Sequence, residues 1–140
     1  MENKIIEMVV GFLFNPEMDK VVLIEKNRPD WQKGFMNGVG GKTEESDQDI
    51  YFTMKREFSE EAGLDINDWN NFCSIYGRTW KCYFFFSVSD KYNEVKTKTD
   101  EPVKIVNVKD LYDLPVIDNL RWLIPMCKDR AHKYCEAEVF

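Results

Sequence analysis

The sequence predicts a single α/β domain, a central mixed β-sheet with helices on its faces. Three observations predict it. Apolar, β-branched or aromatic runs of strand length stand on both sides of one amphipathic stretch, and a second helical stretch lies near the end. The 140 residues, free of repeats, low-complexity tracts and long linkers, suit one sizeable core.

Residues 5–14 (IIEMVVGFLF) are apolar and β-branched, NPEMD supplies a turn, and residues 21–25 form a second strand, so the two read as an antiparallel hairpin. Residues 27–37 (NRPDWQKGFMN) read as an exposed loop carrying aromatics, and residues 38–42 as a short glycine-rich connection. Ser46 is the expected N-cap of a helix over residues 47–62, with Asp47 and Asp49 in its first turn and Gly63 as the residue that stops it. Strands follow at 71–76 and 81–88, the second (KCYFFFSV) rich in aromatic and β-forming residues. Residues 92–101 read as a polar loop, 103–108 as another strand, and 117 to about 131 as a helix with Pro125 inside it.

Composition narrows the function. A net charge of −6 excludes a broad electrostatic grip on a nucleic-acid polymer, and an acidic protein that handles phosphates needs a cation to mediate. Cys73, Cys82, Cys127 and Cys135 form no C-x-x-C pair and His132 is the only histidine, which leaves no ordinary zinc spacing. The thiols are expected to be reduced and mostly buried. MENKIIEMVVGFLF has no basic start followed by a long apolar run and a cleavage site, so neither a signal peptide nor a membrane span is expected, and a cytoplasmic location is.

The chemistry concentrates in GVGGKTEESDQDIYFTMKREFSEEAGL, residues 38–64. At about 100° per residue from Ile50, the side chains of Met54, Phe58, Tyr51 and Ala62 fall between about 40° and about 120°, the stripe that faces the core. Glu61 at about 20° and Glu57 at about 340° lie in or beside that stripe, and Glu60 lies at about 280°. Arg56, at about 240°, faces outward one turn before Glu60, a favourable spacing for an ion pair. Carboxylates at a core edge are costly unless a cation or hydrogen bonds satisfy them. Oxygens converging from one helical face suit Mg²⁺ or Mn²⁺. A helix flank paired to nearby Lys or Arg is the alternative.

The stretch from Gly41 to Leu64 resembles the Nudix box of nucleoside diphosphate-X hydrolases. Arg56-Glu57-Phe58-Ser59-Glu60-Glu61-Ala62-Gly63-Leu64 matches the second half of that pattern throughout, and Gly41 fits its first position, between Gly40 and Lys42. Two departures stand out. Asp47 occupies the place of a family Glu, and eight residues rather than seven separate it from Arg56. The resemblance implies an α/β/α sandwich with a central mixed sheet and the box at one sheet edge. It implies that Glu57, Glu60 and Glu61 ligate Mg²⁺ or Mn²⁺ together with the backbone carbonyl of Gly41, and that Arg56 orients Glu60 or Glu57. It also implies attack of water on a phosphorus within a diphosphate linkage, releasing a nucleoside monophosphate. The general base would be Glu57 or Glu101, and Glu101 could instead complete the metal site or be an ordinary loop carboxylate.

FMNGVGGK resembles the segment before the box in eukaryotic members that cleave 8-oxo-dGTP, where an Asn at the place of Asn37 hydrogen-bonds a purine. IDNLRWLIP resembles their acidic pair ahead of a Trp, with Asp118 fitting the first acid and Asn119 replacing the second. Phe35, Trp31, Trp80 and Phe84 are candidate rings for stacking on a base. Against that, Trp80 and Phe84 can fill core, Trp122 can anchor the last helix, and Asn37 can be a turn residue. The expected partner is a small-molecule nucleotide. Three readings follow: a triphosphate pyrophosphohydrolase, a hydrolase of ADP-ribose or a dinucleotide, and a catalytically silent nucleotide-sensing module. The intact Arg56-Glu57 and Glu60-Glu61 pairs argue against the last.

Overall fold

The computed structural model describes residues 4–140; the leading part of the N-terminal segment read for a signal peptide lies outside them. In chain order the elements are β1 (Ile6–Phe14), β2 (Lys20–Glu25), β3 (Met36–Asn37), β4 (Val39–Lys42), α1 (Ile50–Ala62), β5 (Asn70–Tyr76), β6 (Trp80–Val88), β7 (Val103–Asn107), α2 (Leu120–Lys128) and β8 (Cys135–Glu138). No helix among the described residues is long and apolar enough to cross a membrane.

β1 organises the sheet. One of its edges runs parallel to β6 along its whole length, from Ile6 opposite Trp80 to Phe14 opposite Val88. Its other edge is divided between two strands. Leu13 and Phe14 pair antiparallel with β2, whereas Met8 to Gly11 pair with Lys42 to Val39 of β4. β2 in turn pairs with β3 through Ile24 and Glu25 and with β7 through Lys20 to Ile24. β1 and β2 therefore fork, and the glycine-rich segment fills the fork. On the far side, β5 lies antiparallel to β6, and β8 lies parallel to β5 as the last strand.

Strand alternation sends side chains to two opposite faces, and each face has its own core. Phe12, Phe14, Phe72 and Phe84 pack with Leu120, Leu123 and Ile124 of α2. Val9, Leu13 and Phe85 pack with Met54, Phe58 and Ala62 of α1. The result is the expected α/β/α sandwich around a mixed sheet. The box helix α1 covers a face, over β1 and β4, rather than sitting at a sheet edge, because the fork draws β4 against β1.

Several boundaries differ from the sequence reading, each for a physical reason. The helix begins at Ile50, capped by Asp49, whose side chain accepts a hydrogen bond from the Phe52 amide; Ser46 is not its cap and Asp47 is not in its first turn. Gly63 ends it in the left-handed conformation at φ 67°, as expected. Residues 39–42 are strand rather than connection, despite the low β-propensity of glycine. The close approach to β1 requires it, since a Cβ on Gly40 would lie 1.8 Å from the Val9 carbonyl oxygen. The second helix spans only Leu120–Lys128, and the chain beyond it returns as β8, which the sequence reading missed.

Candidate active site

The fork places the site. β4 carries Gly40 and Gly41 under the middle of α1, and the Glu57 carboxylate rests directly on Gly41. A Cβ there would lie 2.5 Å from the carboxylate carbon. Glycine at this position is what lets a charged side chain settle against the strand.

Arg56 holds the acidic side of α1 together. Its Nε and Nη2 donate to the two oxygens of Asp47, both at 2.9 Å, a two-pronged pair. Its Nη1 donates to Glu57 Oε1 at 3.0 Å and to Glu60 Oε2 at 3.2 Å. Asp47, with only 2% of its side chain exposed, also accepts from the Thr53 hydroxyl at 2.8 Å and from the Glu44 amide at 2.9 Å. The hydrogen bond from Arg56 is the main reason its carboxyl is held well below the usual range. Despite the shorter side chain and the extra residue before Arg56, Asp47 is the anchor of the arginine. The helix start accommodates the insertion.

Glu57 and Glu61 are partly withdrawn from water, and burial raises the proton affinity of both, lifting Glu61 to about 7. Lys26 pulls Glu61 down, while Glu57 and Glu101 push it up. Glu61 Oε2 is buried with no hydrogen-bond partner. Glu60 is the exposed member, with 57% of its side chain in solvent. Glu101 is far from an ordinary loop carboxylate. It is 3% exposed, its Oε1 accepts from Lys26 Nζ at 3.1 Å, and its Oε2 accepts from the amides of Asn27 and Arg28 at 2.7 and 3.2 Å. Burial works to raise its carboxyl, but the Asn27 amide, Lys26 and the Arg28 amide outweigh that and hold it below its ordinary value.

Among the described residues no three His, Cys, Asp or Glu side chains are already gathered as a cation cage. The donors nevertheless fit a hard divalent ion. They are carboxylate oxygens, one of them is orphaned, and Mg²⁺ usually keeps several waters and needs only one or two carboxylates.

A second group of predicted site residues stands where the 115–119 segment is stitched to β3. The Met36 amide donates to the Pro115 carbonyl at 2.8 Å, and the Ile117 amide to the Met36 carbonyl at 2.9 Å. This brings the backbone of Asn37 near the chain entering Asp118 and Asn119; Phe35, one residue before Met36, is 42% exposed. Asn37 Nδ2 donates to Gln32 at 3.1 Å and its Oδ1 accepts from the Gly38 amide at 2.8 Å. Asn119 stands at the start of α2 without capping it, and its Oδ1 is buried with no partner. Asp118 points to solvent, paired with Arg121 at 3.1 Å.

Trp80 is not brought to either group. It opens β6 opposite Ile6 and packs against the α2-side core, four strand residues, or about 13 Å, from the level of Gly40. Phe84 is likewise core. Trp31 is exposed in the loop before β3, and Trp122 is 45% exposed, so it does not anchor α2; Leu120, Leu123 and Ile124 do.

Residues 6–125 match the family model for the NUDIX domain. The chain belongs to the Nudix family. No curated protein matches its sequence. Among solved structures it is similar to a MutT described for Aliivibrio salmonicida and Vibrio cholerae, with a TM-score of 0.74 at 22% identity over 87% of this chain and 95% of that one. It is also similar to the NUDIX domain of Shewanella oneidensis NrtR, complexed with ADP ribose, with a TM-score of 0.79 at 16% identity over 93% and 90%. A MutT protein from Bacillus halodurans gives 0.67 at 17% identity over 86% and 80%. At these identities the likeness establishes the fold.

Sequence reasoning missed Lys26 within this Nudix domain, and read the loop after it only as an exposed loop. Lys26 is 16% exposed and pairs with Glu101 across 75 positions of sequence. Nothing local marks that pairing, which exists because β2 and β7 are neighbours. A cleft of about 260 Å³ adjoins it, lined by Glu25, Lys26, Asn27, Lys33, Asp100 and Pro102 among others.

Proposed function

We propose that this Nudix pyrophosphohydrolase cleaves a purine (deoxy)nucleoside triphosphate, modified bases such as that of 8-oxo-dGTP included, to the monophosphate and pyrophosphate in the presence of Mg²⁺ or Mn²⁺. The single observation that carries the reading is the pair Glu57 and Glu61. Two half-withdrawn carboxylates, one seated on Gly41 and the other with an orphaned buried oxygen, are costly unless a cation completes them. Glu57, Glu61 and the more exposed Glu60 would hold the ion, with the Gly41 carbonyl. A divalent cation bound there supplies charge neutralisation for the phosphate oxygens and acidifies water.

The chain's own groups divide the remaining work. Arg56 fixes Glu57 Oε1 and so leaves Oε2 free, the oxygen through which Glu57 would hold the ion or, acting as the general base, take the proton of the attacking water. Glu101 is a poorer base, because both of its oxygens already accept hydrogen bonds and its proton affinity is lowered. Its role is to position Lys26 and the 27–28 loop. Lys26 then presents a fixed positive charge beside Glu61, which offsets repulsion between this acidic face and a polyphosphate. At the other end, Asn119 Oδ1 is a buried acceptor with no hydrogen-bond partner, in the segment stitched to the strand that carries Asn37; this favours a base that offers a hydrogen-bond donor on its edge.

Product analysis tests the reading. The protein is incubated with Mg²⁺ or Mn²⁺ and, in turn, dNTPs, 8-oxo-dGTP, ADP-ribose, NADH and diadenosine polyphosphates. Monophosphate and pyrophosphate from a purine triphosphate support it. Ribose phosphate from ADP-ribose as the dominant product, or no product from any substrate, overturns it.

A further inference from the structure

β8 is the outermost strand on the side away from the fork, and it pairs in parallel with β5 so that Cys135 lies opposite Cys73. Their Sγ atoms are 3.6 Å apart. We propose that Cys73 and Cys135 form an oxidation site, at which a peroxide joins the two thiols in an intramolecular disulfide that staples the last strand to the sheet.

The geometry suits the bond. Paired strands run about 4.8 Å apart, inside the window of about 4.4–6.8 Å that disulfide-linked Cα atoms occupy. Both side chains point to the α2 face, Cys73 within that core and Cys135 packed against it. Closing the sulfurs to a bond of about 2.05 Å takes a movement of about 1.5 Å, within reach of side-chain rotation. The neighbouring segment is already tied in place: His132 Nε2 meets the Phe72 carbonyl at 2.8 Å, and the Tyr134 hydroxyl donates to Ser74 Oγ at 2.9 Å. Cys127, by contrast, donates to the Leu123 carbonyl of its own helix.

Access sets the order of events. Cys73 is buried, and burial foremost, then Cys135, push its thiol above the ordinary range; Cys135 is partly exposed. Peroxide therefore meets Cys135 first. The Cys135 thiolate attacks one peroxide oxygen, the O–O bond breaks, and the departing hydroxide takes up a proton to leave as water. Cys135 is left as a sulfenic acid. Cys73 sulfur then attacks Cys135 sulfur and its proton leaves with the displaced hydroxyl as a second water. Two thiols are oxidised by two electrons in all, and one peroxide is reduced to two waters. Because β8 stands three strands from β1, about 14 Å away, the bond forms clear of the Gly41–Glu57 contact.

The test treats the full chain with hydrogen peroxide, blocks remaining thiols, and maps peptides without reduction while a parallel sample is melted. The expected results are a linked Cys73–Cys135 peptide pair lighter by two hydrogens and a melting temperature raised by roughly 5–10 °C, reversed by reductant. Cys135→Ser, a change at a partly exposed position, is expected to fold normally and lose both signals, while Cys127→Ser keeps the linked pair. A Cys135 carrying sulfinic acid with no linked peptide, a bond from Cys73 to Cys82 or Cys127, or an equal melting shift in wild type and Cys135→Ser would each overturn the proposal.

Discussion

Replacing Asp47 with alanine removes the anchor of Arg56 and with it four hydrogen bonds, from Arg56 Nε and Nη2, the Thr53 hydroxyl and the Glu44 amide. Removing one partner of a buried ion pair costs about 3–5 kcal/mol when the surviving charge is left alone. Arg56 is not left alone, since Glu57, Glu60 and the Lys42 carbonyl remain. The expected cost is therefore about 2–4 kcal/mol. An unfolding entropy of about 2.1 cal/mol/K per residue gives about 0.3 kcal/mol/K for a 140-residue chain, so calorimetric melting at pH 7 should fall by roughly 7–14 °C. The sign with pH follows from the direction of the shift. The folded carboxyl of Asp47 lies below its ordinary value of 3.8, so its contribution is complete above that value and is lost as pH falls through the folded one. The gap between wild type and variant should narrow in strong acid. A melting change below about 3 °C at pH 7, or one that does not narrow in acid, would mean an ordinary screened surface pair and refute the reasoning.

Other consequences are open to direct measurement. Gly41→Ala puts a methyl group 2.5 Å from the Glu57 carboxylate carbon and should cut kcat at least roughly tenfold by displacing that carboxylate, with a smaller change in KM; an unchanged kcat denies the contact its importance. Burial lifts Glu61 to about 7, above its ordinary 4.5, so its contribution to the metal-free fold is full below 4.5 and lost as pH rises through about 7. Stability measured without metal should decline over that window, and Glu61→Gln should flatten the decline; an identical profile in the variant rejects the assignment. Asn119→Ala removes an unpartnered buried acceptor, so the melting temperature should hold or rise slightly while KM for the purine nucleotide increases severalfold; a destabilised variant with unchanged KM would make Asn119 structural.

Much of the fold and site is legible in the sequence because it is periodic. The stripe of Met54, Phe58 and Ala62 and the aromatic run of β6 report their faces through local spacing, and the helix wheel puts Glu57 nearer the core than Glu60. It fails at Tyr51, which is 50% exposed at the first turn, and at Arg56, which is drawn in to 16% exposure by Asp47 rather than facing outward. The pairing of Arg56 with Glu60 also follows from one-turn spacing. What escapes is set by partners distant in sequence. Residues 39–42 are strand only because β1 leaves β2 and offers them an edge. Trp80 reads as a candidate base platform from its ring alone, whereas the parallel register with β1 places it at the other end of the sheet. Glu101 looks like one acid in a polar loop until the neighbouring strand puts Lys26 and two amides around it. Asp47 shows the converse. It departs from the family spacing, yet a later helix start absorbs the extra residue and keeps the arginine anchored.

The Glu57–Glu61 face as a cation site is the central claim, and calorimetric titration of Mn²⁺ into the metal-free protein with a non-hydrolysable triphosphate tests it most directly. Saturable uptake that falls by about 10–100-fold in affinity in Glu57→Gln, with the variant's melting temperature retained, is the predicted result. Wild-type protein that takes up no Mn²⁺ even with nucleotide present, or a Glu57→Gln variant that binds it equally well, would contradict it.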